Sequence, residues 1–286
     1  MKKTAYLLVI LLLLIVFILS GRTDYTSDRS SLRNSFALIM RNSSLIDDPE
    51  LKEISGLASS EDGRLFCHND ETGIVYEVDR KEGKIIKKFF PGNKIIKADF
   101  EGIAIADDEF YMVTSSGEIY EFSEGEDNAF VGYKFYDTGL PAKCDIEGLC
   151  YDPETDCLLL ACKGYPGKGY EGSKAVYSFS LNTKSLIKEP RFLLSEKLLK
   201  KQTGEKNFYP SGIERNPVTG TFLIISARAK AIIEISGDGE ILGHAELDKK
   251  VHDQPEGITF TQDLNILISD EGRKSGKLTL YKKTKS

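Results

Sequence analysis

Short apolar runs of Val, Ile, Leu, Phe and Tyr recur along most of this chain, each broken by a polar turn rich in Gly, Asp and Asn. One unit reads Glu53-Ile54-Ser55-Gly56-Leu57-Ala58, a turn, Arg64-Leu65-Phe66-Cys67, a turn at His68 to Gly73, Ile74-Val75-Tyr76-Glu77-Val78, a turn at Lys81-Glu82-Gly83, then Lys84 to Phe90. Apolar runs this short, bounded by such turns, predict β-strands, and this unit contains four. The plan returns as EGIAIA, FYMVTS, EIYEFS and VGYKFYDT, and again as SGIERN, TFLIIS, AIIEIS and EILGHAEL.

A related tetrapeptide opens every unit: Glu53-Ile54-Ser55-Gly56, Asp99-Phe100-Glu101-Gly102, Asp145-Ile146-Glu147-Gly148, Tyr209-Pro210-Ser211-Gly212 and Gln254-Pro255-Glu256-Gly257. The glycines are 46, 46, 64 and 45 residues apart. Four antiparallel strands at a period in the forties describe a β-propeller blade, so the fold is all-β, a propeller of five four-stranded blades. A sixth blade would have to lack the tetrapeptide, and the chain has no room for one. The long third interval holds Ser195 to Gln202, which reads as a short helix, and the Gly-rich loop Gly164 to Gly172. The last unit has three strands, EGITFT, NILISD and KLTLYKK; Ser35 to Met40 is an unassigned strand that supplies the fourth and closes the ring.

Ahead of the propeller, Lys2 and Lys3 precede an apolar run from Ala5 to Leu19. Residues 1–20 therefore read as a signal anchor or signal peptide forming an N-terminal hydrophobic helix, 21–34 as a polar linker, and 35–286 as the propeller domain. The expected location is the cell envelope. Either the propeller is anchored to the inner membrane and faces away from the cytoplasm, or it is secreted to the periplasm after cleavage. A net charge of -6 and the lack of a basic, aromatic-interleaved patch give no reason to expect nucleic acid as a partner. The five cysteines, Cys67, Cys144, Cys150, Cys157 and Cys162, are odd in number, and a disulfide within the third unit is open without an assignable pairing.

In a blade the loop before the first strand and the loop after the second open on the same face. The tetrapeptides occupy the first set of loops; His68-Asn69-Asp70-Glu71, Thr114 to Ser116, Lys163-Gly164, Ala227-Arg228 and Asp270-Glu271 occupy the second. Side chains two apart on a strand share a side, which pairs Asp99 with Glu101 and Asp145 with Glu147 at one channel mouth. So many carboxylates need compensation, by Lys163 and Arg228, by raised pKa values or by a bound cation. The candidate metal ligands are Glu101, Glu147, Glu256, Asp99 and Asp145, an all-oxygen set that suits calcium. An alternative of equal weight is that these acids accept backbone hydrogen bonds and hold the ring together. Glu53, Asn69, Asp70, Lys163, Tyr209, Arg228 and Asp270 are the candidate ligand-binding residues around them. His68 and His252 read either as a base or ligand or as ordinary turn residues. No Walker A loop, nucleophile elbow or HExxH is present.

The order and spacing of Ser55-Gly56-Leu57, Asp99-Phe100-Glu101-Gly102-Ile103, Glu147-Gly148-Leu149 with Tyr151-Asp152-Pro153, Pro210-Ser211-Gly212-Ile213 with Asn216-Pro217, and Pro255-Glu256-Gly257-Ile258 resemble the SdiA-regulated (YjiK-like) family from about Phe36 to Tyr281. The resemblance implies an envelope-associated bacterial propeller, often behind an N-terminal membrane segment, and transfers no catalytic residue. The leading expectation is a binding or scaffolding module holding calcium and an unknown small-molecule or protein ligand at its mouth. The alternative is a metal-dependent hydrolase of the lactonase, esterase or phosphoesterase type, by fold-level analogy.

Overall fold

The computed structural model describes Leu32 and residues 36–204 and 207–284, of residues 36–40 the backbone alone. The strand runs form five sheets, each a blade. From the axis outward, blade one is Ile54–Ser59, Leu65–Asn69, Val75–Asp79 and Lys84–Pro91. Blade two is Phe100–Ala106, Glu109–Thr114, Glu118–Ser123 and Tyr133–Asp137. Blade three starts Ile146–Asp152, Cys157–Cys162 and Ser173–Ser180. Blade four is Gly212–Arg215, Phe222–Ser226, Ala231–Ile235 and Ile241–Glu246. Blade five is Gln254–Phe260, Ile266–Glu271 and Gly276–Lys283, with Phe36–Ile46 as its outer strand.

This is the ring expected from the repeats, closed by the N-terminal strand. The closing strand extends to Ile46 rather than ending at Met40, pairing Arg41 with Tyr281 through Ile46 with Gly276. Two blades carry more than four strands. Phe130–Val131 adds to the edge of blade one in parallel with Phe90–Pro91, and Ser173–Ser180 of blade three pairs with both Ser185–Leu186 and Phe192–Ser195. The latter strand leads into the helix α1 (Glu196–Thr203), which stops at Gly204 with φ 74°.

Apolar side chains pack between blades as well as within them. Phe66 and Phe89 meet Phe110 and Phe122 between blades one and two, and Phe192 meets Phe222 between blades three and four. Ile46, Leu267 and Leu278 pack with Leu51, Leu57 and Tyr76, so the same kind of core seals the closing seam.

The expected N-terminal hydrophobic helix needs correction. Residues 1–20, and the linker 21–34 apart from Leu32, lie outside the described residues. Among the described residues α1 is the α-helix, eight residues long, and no helix is long and apolar enough to cross a membrane. A membrane partner reached through such a helix, and anchoring to the inner membrane by it, are therefore not carried forward.

The five motif glycines line one narrow space on the axis. A Cβ built on Gly102 would lie 2.7 Å from Leu149 Cβ and 2.8 Å from Leu149 N; one on Gly148 would lie 3.0 Å from Gly212 Cα. Each glycine thus meets the backbone of the next blade where a side chain has no space. Gly102→Ala should lower stability by about 1–3 kcal/mol, the usual range for forcing an extra methyl into a packed core. Gly132→Ala, whose Cβ would meet nothing within 4 Å, should stay within about 0.5 kcal/mol. Urea midpoints compare the two, and equal midpoints would contradict the close approach at the axis.

Candidate active site at the channel mouth

At four of the five axial glycines the ladder slips, while Gly212 of blade four pairs in register with Ile225. Register shifts fall between Ile54 and Leu57, Phe100 and Gly102, Ile146 and Leu149, and Pro255 and Gly257. Such bulges leave a residue unpaired and re-aim its side chain. The residues they release are Ser55, Glu101, Glu147 and Glu256. A bulge also frees a backbone N–H, and side chains from the second strand accept it: Gly56 N–H donates to His68 Nε2 (3.2 Å), and Gly257 N–H to Ser269 Oγ (2.9 Å). Ser269 Oγ in turn donates to Ser55 O of the next blade (2.7 Å), and Ser211 Oγ donates to Pro255 O (2.7 Å).

His68 is therefore neither a base nor a solvated turn residue. It is fully buried, its Nδ1 faces Asn69 O at 2.8 Å, and burial pushes its pKa down to about 4. His252 is also buried, between Asp270 Oδ2 (2.7 Å) and the Tyr281 hydroxyl (2.5 Å). These contacts join the loop before blade five to that blade's second and third strands.

Above the glycines the mouth widens into a cavity of about 550 Å³ on the side of blades three, four and five. It brings together Asp145, Glu147, Lys163, Tyr209, Arg228 and Glu256. Glu101 lines the throat below with Glu256. Glu53, Asn69, Asp70, Asp99 and Asp270 do not line this cavity. Glu53 pairs with Lys52, Asn69 holds its turn through Thr72, Asp99 accepts from Ser115 and Asp270 is bonded to His252. Asp70 is partly buried, and that burial, with Glu53 beside it, raises its pKa to about 6.

Lys163 is the electrostatic centre. Its ammonium forms an ion pair with Glu147 and lies 3.9 Å from Asp145. Burial opposes its charge, but the hydrogen bond to Glu147 and the surrounding acids hold its pKa above the ordinary value. Burial is also the main force on the carboxyls. It raises Glu101 to about 10, reinforced by Glu147, Asp99 and Glu256, and raises Glu256 to about 8, reinforced by Glu271 and Glu147. Glu147 is raised too, though Lys163 pulls against the shift. Of the three compensations open from sequence, the lysine and the raised pKa values are both present; Arg228 instead stacks over Tyr209, its guanidinium carbon 5.8 Å from the ring centre.

From sequence a disulfide within the third unit is open without an assignable pairing, and it helps to fix Lys163. Cys144 and Cys162 form a disulfide, their Cα atoms 5.2 Å apart, while Cys67, Cys150 and Cys157 are free and buried. The bridge ties the loops on either side of the site. Lys163 N–H donates to Asp145 O (2.8 Å), Gly164 N–H to Cys144 O (2.8 Å), and Lys174 Nζ to Lys163 O (2.8 Å). Lys230, in the cavity wall, and Glu214, half-buried at the far end of the channel with its pKa raised to about 8 by desolvation, went unnoticed. Neither carries a motif in the chain.

Carboxylate oxygens are suitable donors for calcium. As arranged they do not form a ligand shell: Glu147 is engaged by Lys163, Asp99 by Ser115, and among the described residues no group of three or more His, Cys, Asp and Glu side chains is placed to hold an ion.

A closed five-bladed propeller with a lysine-centred carboxyl cluster at one mouth is the class of protein defined here. The chain belongs to the SdiA-regulated family, whose family model matches residues 46–274. No curated protein sequence matches it. Among solved structures it is similar to glutaminyl cyclase from Myxococcus xanthus, with TM-score 0.56, 13% identity, and coverage of 86% of this chain and 98% of that one. It is also similar to a luciferin-regenerating enzyme, with TM-score 0.51, 10% identity, and coverage of 84% and 95%. At these identities the likeness shows the fold.

The expectation of a membrane-anchored binding or scaffolding module is corrected on these findings. Among the described residues no helix is long and apolar enough to cross a membrane, and the mouth opens into a cavity in which Lys163 is ion-paired with Glu147 beside Glu256, whose pKa burial raises.

The raised carboxyls make stability depend on pH. A carboxyl that keeps its proton longer when folded makes the folded state bind more protons than the unfolded chain, so its contribution falls as pH rises. For Glu256 that window runs from the ordinary value of 4.5 to about 8. Glu256→Gln should therefore gain stability relative to wild type as pH rises through this window. Unfolding curves at several pH values measure the difference; a difference independent of pH would show that the Glu256 carboxyl is not perturbed.

Proposed function

We propose that this protein is a hydrolase acting on an ester or lactone, with its reaction centre at the cavity over Glu101, Glu147, Glu256 and Lys163. The observation that carries the reading is the juxtaposition of Glu147, paired with Lys163, and Glu256, whose burial favours the protonated form, on one cavity wall. Neighbouring carboxyls whose environments separate their pKa values divide the roles of base and acid. Glu147 takes a proton from the attacking water as its oxygen bonds to the carbonyl carbon. The Lys163 ammonium stabilises the oxyanion that forms. Glu256 gives its proton to the leaving oxygen as the carbon–oxygen bond breaks. Transfer of the proton from Glu147 back to Glu256 restores the starting state. Glu101, in the throat, keeps its proton and adds no second negative charge beside Glu147.

The enzyme names of the two structural neighbours support the reading by analogy of fold. The Cys144–Cys162 disulfide supports a place outside the cytoplasm, in the periplasm or beyond, where such bridges persist.

The test is a panel of 4-nitrophenyl esters and lactones, with Glu147→Gln and Glu256→Gln as variants. Each variant should lower kcat by about 10²–10⁴-fold, the usual range for a general acid or base, while the protein stays folded. Wild-type activity should decline as pH rises through about 8, where Glu256 loses its proton. Variants as active as wild type would remove these residues from the reaction.

The mutual repulsion of the carboxyls also favours a second reading, in which they hold calcium after Glu147 leaves Lys163. Calcium at about 100 times its dissociation constant would then add about 2.7 kcal/mol of stability. The lysine-centred account predicts no calcium-specific rise in Tm and no loss of activity with chelator.

A further inference from the structure

The cavity is lined by three cations, Lys163, Lys230 and Arg228. Lys163 is engaged by Glu147, and Lys230 donates to the Asp253 carbonyl. Arg228 contacts the Tyr209 ring and, among the described residues, has no carboxylate or carbonyl partner, although acids are close by on the same wall.

The backbone around both residues is held in place, while the Arg228 side chain stays exposed. The buried Ser226 hydroxyl accepts from Tyr209 N–H (3.1 Å) and from Ala229 N–H (3.3 Å), so one oxygen fixes the backbone at Tyr209 and beside Arg228. Ser211 Oγ accepts from Ala227 N–H (2.9 Å) while donating to Pro255 O. Lys174, nearly fully buried, approaches the Tyr209 ring to 4.2 Å and lies 3.4 Å from Glu196 at the start of α1. The blade-three insertion thus braces the ring on which the guanidinium rests.

We infer that the molecule turned over here carries a carboxylate, and that Arg228, above the Tyr209 ring, is the residue that binds it. The assignment rests on the reaction centre proposed above, because it places the anionic end of the substrate at Arg228 and the scissile carbonyl over Glu147 and Lys163. A guanidinium presents a planar fork that matches a carboxylate with two parallel hydrogen bonds. One unengaged cation suits a single negative charge; a phosphate monoester would bring nearly two into a mouth already rich in acids. Arg228 is therefore a specificity-determining residue.

The experiment uses the full chain and two matched pairs of probes. For turnover these are 4-nitrophenyl hydrogen succinate, which ends in a carboxylate, and 4-nitrophenyl butyrate, which does not. For binding they are the corresponding amides, N-phenylsuccinamic acid and N-phenylbutyramide, measured by calorimetry. The ratio of kcat/KM for the succinate over the butyrate should exceed about 10 in wild type and fall towards 1 in Arg228→Gln, as expected for loss of a charge-assisted bidentate pair. Binding of the succinamic acid should weaken by about 10-fold or more in Arg228→Gln, with Arg228→Lys recovering only part of it.

The proposal is overturned if the succinamic acid binds no better than the butyramide, or if Arg228→Gln leaves its affinity unchanged. It is also overturned if 4-nitrophenyl phosphate binds more tightly than the carboxylate probe. Arg228-dependent binding without hydrolysis of either ester would uphold the anion site and remove the hydrolase reading. Ester hydrolysis with no preference for the carboxylate would do the reverse.

Discussion

The close approach of five glycines around the axis is the constraint on which the rest of the structure depends. Where a Cβ on Gly148 would lie 3.0 Å from Gly212 Cα, the inner strands can pass only as bare backbone. In four of the five blades the ladder slips at these positions, and the slip frees both a side chain and an N–H group. The freed side chains include Glu101, Glu147 and Glu256, so one steric requirement supplies both the ring closure and its acidic mouth. The freed N–H groups draw in His68 and Ser269, which explains why a histidine is buried beside the channel without facing it.

Carboxyls assembled this closely would repel one another if all were ionised. The protein uses two remedies together. Glu147 is paired with Lys163, and burial raises the pKa values of Glu101 and Glu256. The position of Lys163 depends on the third blade, where a disulfide, two backbone hydrogen bonds and one from the Lys174 ammonium hold the loops on either side. The long interval in the repeat spacing thus marks the blade that was elaborated to build the site. Its insertion carries α1, and Glu196 at the start of that helix reaches the Lys174 that supports Tyr209.

Much of this was legible in the chain. The glycine spacing gave five blades, the apolar runs matched their strands, and the helix expected over Ser195 to Gln202 is Glu196–Thr203. The loop rule that placed Glu147, Lys163, Tyr209 and Arg228 at one channel mouth rests on strand alternation alone, and the cavity contains all four. What could not be read was each side chain's choice of partner. Ser269 reaches Ser55 across 214 positions of sequence, and nothing local distinguishes it from any other strand serine. The two remedies for the acid cluster could be named from sequence, but choosing among them required knowing that Glu147 faces Lys163 and Asp99 faces Ser115. His68 was misread because a histidine among Asn and Asp looks like an exposed turn, whereas the bulge at Gly56 turns it inward. The expected N-terminal helix rested on composition alone and falls outside the described residues.

The central claim is that the mouth keeps ionised and protonated carboxyls side by side at neutral pH. Carbon NMR of the glutamate side-chain carboxyls, titrated across pH and assigned with Glu101→Gln and Glu256→Gln, tests it most directly. The account predicts that Glu256 titrates near 8, that Glu101 retains its proton beyond that point, and that Glu147, held by Lys163, loses its proton before either. Titration of Glu101 and Glu256 in the ordinary carboxyl range, about 4 to 5, would contradict it and leave the cluster as a solvated acidic rim.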